Sequence, residues 1–184
     1  MRKRLMIVAA IALVCVLAAG GTIAWLTASA SVSNTFTVGN IAITLDEPAW
    51  SDGSKLYPGA VIAKNPTIKV TAGSEDCYVY AMVDNQLNGK IADAVTLNVH
   101  SDWTPIATSG TKTVYRYKAV VTLNPADQPL TSVFTTVTVS STAVTEANIA
   151  LLSNGKIEIK AYAHQANATD QAAADAAAKT HFGV

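Results

Sequence analysis

Apolar residues occupy the even positions Leu26, Ala28, Ala30, Val32, Phe36 and Val38, interrupted only by Asn34. The odd positions Thr27, Ser29, Ser31, Ser33, Thr35 and Thr37 all carry hydroxyls. Strict period-2 alternation predicts a half-buried β-strand. At about 3.3 Å per residue, positions 25–38 would extend about 46 Å, whereas a usual strand has about 5–6 residues. This strand is too long for one domain and is expected to add to a sheet edge, on its own molecule or on a neighbour.

The same alternation recurs downstream. Ile41, Ile43 and Leu45 form one apolar face, and Cys77, Val79, Ala81 and Val83 another. Val95, Leu97 and Val99 follow, then Tyr115, Tyr117, Ala119, Val121 and Leu123, with Arg116 and Lys118 on the opposite side of a strand predicted over 114–123. Residues 67–70, Val133 to Val139 at odd positions, and Ile157, Ile159, Ala161 and Ala163 complete the set. Turn residues such as Asp46-Glu47-Pro48 and Ser51-Asp52-Gly53 separate them. Short strands at regular spacing predict an all-β fold, a jelly-roll-like antiparallel β-sandwich. Two short helices interrupt it. Thr145 is placed to cap residues 146–153, and Thr169 to cap 170–180, with Lys179 and His181 in the last turn and Gly183 beyond. The second is rich in alanine without a strong apolar face, so it is expected to be partly exposed and to fray.

The N-terminus begins with Arg2, Lys3 and Arg4, continues with an apolar run from Leu5 to Ala19, and reaches Thr22-Ile23-Ala24. A basic start, an apolar core and a small-x-small step predict a secretory signal peptide cut between Ala24 and Trp25. Ala28-Ser29-Ala30 offers a second cut site. Residues 5–26 carry no charge and could instead act as an uncleaved anchor, since about 20 residues span a bilayer. The organisation expected is therefore a signal peptide at 1–24, a candidate donor strand at 25–38, a β-sandwich at 39–168 and a helical tail at 169–184.

Cleavage leaves 184 − 24 = 160 residues and changes the charge balance from 13 basic and 13 acidic to 10 and 13. A mildly acidic surface gives no electrostatic reason to bind nucleic acid. Of Cys15 and Cys77, only Cys77 survives, which rules out an internal disulfide in the mature chain; a buried small hydrophobe is the expectation there.

Gly20-Gly21-Thr22, Asn34-Thr35-Phe36-Thr37-Val38-Gly39-Asn40 and the alternating Ile41, Ile43 and Leu45 resemble the SipW-type signal peptide and first strand of the TasA/camelysin family of Gram-positive bacteria. Weaker similarity runs through Tyr57-Pro58-Gly59, the stretch from Gly73 to Tyr80 and the stretch from Ile157 to Ala166. The resemblance implies a secreted jelly-roll subunit of extracellular matrix fibres, each N-terminal strand completing the next subunit's sheet. The residues expected to enter the neighbour are Leu26, Ala28, Ala30, Val32 and Phe36.

No catalytic constellation is legible, and no catalytic, cofactor or metal residue is assigned. His100, His164 and His181 belong to no His-Glu-x-x-His motif, although camelysin carries a metalloprotease label. No nucleophile elbow and no supported cysteine–histidine pair occurs. Asp46-Glu47 and Glu75-Asp76 could help hold calcium, but solvated turn carboxylates are the default. Tyr78, Tyr80 and Tyr117 could stack on sugar, but cross-strand packing is the commoner use. The reading is a structural subunit that associates with itself head to tail, outside a Gram-positive cell, with other matrix proteins or the cell wall as further partners. Its contact with membrane is through the signal segment alone. The alternatives are a monomeric adhesin using a loop such as residues 84–93, and a camelysin-like secreted metallopeptidase.

Overall fold

The computed structural model describes residues 39–48, 55–166 and 170–184. The signal peptide and the donor-strand residues therefore lie outside the described residues. Those described belong to one compact unit, Val38–Val184.

Ten strands, all paired antiparallel, build the unit: β1 (Ile43–Asp46), β2 (Val61–Ala63), β3 (Thr67–Val70), β4 (Cys77–Asn85), β5 (Val95–Val99), β6 (Trp103–Ser109), β7 (Lys112–Tyr117), β8 (Gln128–Pro129), β9 (Phe134–Val139) and β10 (Ile157–Gln165). Their sheet orders are β1-β3-β8, β2-β9-β5 and β10-β4-β7-β6. The first two sheets run into one another. Leu130 N–H donates to Ile68 O (2.9 Å), Val133 N–H to Pro66 O (2.8 Å) and Lys64 N–H to Thr135 O (3.1 Å). Pro66, which has no N–H to donate, stands between β2 and β3. The result is a bent layer that faces the four-stranded sheet across a core containing Ile68, Val70, Val79, Val83, Phe134 and Val137. Each fully buried side chain of this size contributes about 1.5–3 kcal/mol. The expected all-β antiparallel sandwich with two short helices is thus the observed fold.

The local details depart from expectation. The strand expected over 114–123 ends at Tyr117. There Lys118 N–H turns to Asp102 O (2.8 Å), and only Val121 rejoins β4, through a bridge to Cys77. Helix α1 (Gln86–Lys90) was not expected; the Asn85 side chain caps it by accepting from Asn88 N–H at 3.3 Å. The segment expected as a Thr145-capped helix holds only a 3-10 turn, Ile149–Leu152, begun by Asn148. Helix α2 (Gln171–Phe182) is capped by Asp170, whose carboxylate accepts from Ala173 N–H at 2.7 Å; Thr169 lies outside the described residues.

The tail helix is docked. Ala174, Ala178 and Phe182, spaced four apart, are buried against Tyr80, Met82 and Val114 on the outer face of the four-stranded sheet. Asp175 accepts from Tyr80 Oη (2.9 Å) and Arg116 Nη1 (2.5 Å). Gln171 Oε1, in the orientation that satisfies its neighbours, accepts from both guanidinium Nη atoms at 3.1 Å. Gly183 ends the helix at φ 67°, a left-handed conformation that a side chain would strain.

Candidate functional site

Strand β10 is the outermost strand of its sheet. Ala166 N–H donates to Asp76 O and Gln86 N–H to Lys156 O, so the even-numbered residues of β10 direct their main-chain groups to β4. The N–H and C=O groups of Ile157, Ile159, Ala161, Ala163 and Gln165 therefore point away from β4. Among the described residues, no strand pairs with that side, although β1 passes close to β10. The side chains of Ile157, Ile159, Ala161 and Ala163 pack against the core, yet all four stay partly accessible. One row of residues thus presents free main-chain groups outward and apolar side chains inward.

Strand β2 forms the matching edge of the other layer. It pairs with β9 only, and β1 covers β3 rather than β2. Lys64 N–H bonding Thr135 O and Val139 N–H bonding Ala60 O put the even residues toward β9. The main-chain groups of Val61 and Ala63 face outward, and Val61 is 64% exposed. Between the two edges lies an opening of about 290 Å³ lined by Leu56, Ile62, Leu87, Val137 and Ile157, with Lys64 at one wall. Lys64 is itself buried and bonded to Glu47 Oε2 at 2.6 Å. That bond gives Glu47 a structural partner, where the sequence pointed by default to a solvated turn carboxylate and only otherwise to calcium.

The described chain begins at the far end of β10. A Cβ on Gly39 would lie 2.9 Å from Glu75 Cγ and 3.4 Å from Gln165 Nε2, so the close approach requires glycine. Asn40 O accepts from Glu75 N–H, and Asp76 Oδ1 accepts from Leu123 N–H at 2.7 Å. The second acidic turn is thus also engaged locally.

The remaining candidates resolve into packing. Cys77 is fully buried and free, as expected, and burial raises its thiol to about 11. Tyr80 lies under α2, and burial raises its phenol. Tyr117 packs on Trp103 with ring centroids 5.2 Å apart. His100 Nδ1 accepts from Asp102 N–H at 3.1 Å, which leaves the neutral ring's proton on Nε2. His164 Nδ1 bonds Tyr162 Oη (2.8 Å), and His181 stacks on the same tyrosine at 4.4 Å.

The profile of one family, described as camelysin metallo-endopeptidase, matches residues 1–102 of this chain. The chain belongs to that family. The match bears out the TasA/camelysin resemblance read from the N-terminal residues. Comparison with curated proteins and with solved structures gives no match. The family's description implies a metal. Among the described residues, no three of His, Cys, Asp and Glu gather closely enough to hold an ion. His164 and His181 share Tyr162 without a carboxylate or thiol to complete a set, and both lie outside the matched residues. The described side chains do not fit a catalytic zinc site, which needs three protein ligands. Among the described residues, no helix is long and apolar enough to cross a membrane.

Sequence reasoning found the strand β10 by its alternation. It missed that β10 is an edge, and it missed Leu56, Ile62 and Leu87. An edge is a property of topology, and no local pattern encodes it.

Proposed function

We propose that the protein is a secreted structural subunit, retained outside a Gram-positive cell, that polymerises through its N-terminal strand into extracellular matrix fibres. The observation that carries this reading is the outer edge of β10, with free main-chain groups on five residues beside an apolar opening. A strand laid there gains main-chain hydrogen bonds, and its alternate side chains enter the opening. Leu26, Ala28, Ala30, Val32 and Phe36 supply such side chains.

Chain direction favours a neighbour as donor. Residue 39 sits beside Gln165, the C-terminal end of β10. A donor strand turned back onto its own β10 would have to run parallel to it. Every described pair in this sandwich is antiparallel, and parallel pairing is slightly weaker per residue. A second copy is free to enter antiparallel. Repeated head-to-tail contacts that do not close produce a filament.

On this reading, a signal peptide ending at Ala24 gives a mature start at Trp25. Other matrix proteins or the cell wall are further partners, nucleic acid is not, and the protein is not a peptidase.

Deleting residues 25–33 tests the mechanism. The truncated protein is expected to fold and remain monomeric by size-exclusion chromatography. A peptide spanning 25–37 is expected to bind it and to stop growth of full-length fibres. Ordered filaments from the truncated protein, seen by negative-stain microscopy, would refute donor-strand assembly.

A further inference from the structure

On the opposite side of the sandwich, the layers part again, between β5 and the β6–β7 hairpin. The cleft has a volume of about 590 Å³, within the range of about 300–1,000 Å³ typical of small-molecule sites. Its polar groups include Asn85, Thr96, Thr113 and Tyr115. Asp93 is the one ionisable acid among its lining residues, and none of them is Lys, Arg or His. Leu97 and Val99 supply an apolar strip on β5, at a bulge that shifts the register between them.

The lining selects a chemistry. A site without a cation does not favour phosphate, carboxylate or nucleic acid. Hydroxyl and amide groups both donate and accept, which suits a ligand that is itself covered in hydroxyls. Thr113 also shares a hydrogen bond of 3.2 Å with Thr108 on the neighbouring strand. Burial raises the Tyr115 phenol, with Thr113 partly opposing the rise, so the tyrosine remains a neutral donor. Apolar strips beside such groups match the C–H faces of sugar rings. A peptide strand would find fewer apolar pockets here than in the opening beside β10.

We propose that this cleft binds a neutral polysaccharide, with Thr113 and Tyr115 meeting ring hydroxyls and Leu97 and Val99 meeting ring faces. The site is separate from the assembly edge and does not depend on polymerisation.

Affinity electrophoresis of the full secreted chain tests it, in gels containing dextran, xylan, hydroxyethylcellulose or polygalacturonate. At least one neutral polymer is expected to retard the protein, and polygalacturonate is not. Thr113→Val with Tyr115→Phe removes two hydroxyls and little volume. It is expected to weaken retardation about thirtyfold, as two hydrogen bonds of about 1 kcal/mol each would require. Three results would overturn the proposal: no retardation by any neutral polymer, equal retardation by polygalacturonate, or full retardation of a folded double variant. Displacement of the bound polymer by the 25–37 peptide would overturn it too, by showing a strand groove instead.

Discussion

Both openings of this sandwich are framed by edge strands, and they differ in what lies between the edges. The side between β2 and β10 is lined by Leu56, Ile62, Leu87, Val137 and Ile157. The side between β5 and the β6–β7 hairpin carries Asn85, Thr96, Thr113 and Tyr115. On the β5 side the Asn88 side chain already bonds the Val95 N–H and C=O, whereas the outward groups of β10 have no partner among the described residues, and the side chains differ as well. An apolar slot beside free N–H and C=O groups rewards a strand, because burial drives it in and the ladder aligns it. A wall of hydroxyls rewards a solvated polar ligand, which loses water and regains equivalent bonds. One architecture thus provides two chemistries by changing residues at a few positions along its open sides.

The sharpest way to break this contrast is to place a charge on each side in turn. Ile62→Asp should abolish polymerisation, because an unpaired carboxylate in the apolar slot costs about 3 kcal/mol or more on strand binding. Thr96→Asp should leave polymerisation intact. Sedimentation of the fibres, with thermal melts to confirm folding, separates the outcomes. Fibre loss in both variants would show that the two sides are not independent.

A smaller effect is expected from the polar groups that brace each side. Glu47→Gln should destabilise the subunit by about 2 kcal/mol in urea unfolding, since it removes one partner of a largely buried ion pair with Lys64. Asp84→Asn should cost about 1 kcal/mol. Its carboxylate is held by the Thr111 hydroxyl at 2.5 Å and by Gln86 at 3.4 Å, both neutral donors. The reverse order would show that the polar corner is the more strongly braced.

Acid should weaken the turn between β5 and β6. Asp102 lies in the turn from β5 to β6, and the bond from Lys118, aided by that from Thr131, lowers its carboxyl below the ordinary range. A group with a lowered folded pKa contributes stability that is present above the unfolded value of about 3.9 and is lost as pH falls through the folded value. Stability should therefore decline below about pH 4, and Asp102→Asn should flatten part of that decline. Asp127, lowered by Ala72 N–H and Lys69, has the same sign and should maintain the remainder. Circular dichroism across pH 2–5 in both proteins is the measurement. The smallest effect is reserved for the outer face of β2: Val61→Thr should stay within about 0.5 kcal/mol and leave both binding activities unchanged.

How much of this was legible depended on whether a residue's role was local. Alternation in Cys77 to Val83 and in Ile157 to Ala163 identified β4 and β10, because a two-residue period marks the side chains that share one sheet face; that α2 buries the other face of β4 was not legible. The end of β7 did not show, because Lys118 leaves the strand for Asp102, a partner sixteen residues away. Helix α2 looked too weakly apolar to dock, yet Ala174 and Ala178 are fully buried. Their small size lets the helix approach the sheet closely, and Phe182 with the Arg116–Asp175 pair fixes it. Such complementarity belongs to the facing surface as much as to the helix. The polar cleft was the least legible feature, because its walls come from three strands and α1 that meet only in the folded chain.

The free main-chain groups of β10 belong to residues whose own side chains point inward. An incoming segment therefore meets a largely sequence-blind ladder and is discriminated chiefly by the slot behind it. Such an edge tolerates mixed chains. Related subunits with a comparable alternating arm would copolymerise, and a subunit lacking its arm would act as a terminator, occupying one end and offering nothing to the next. On the proposed mechanism, average fibre length would then follow the ratio of armed to armless subunits, so a protease trimming N-termini would set polymer length without touching the folded body.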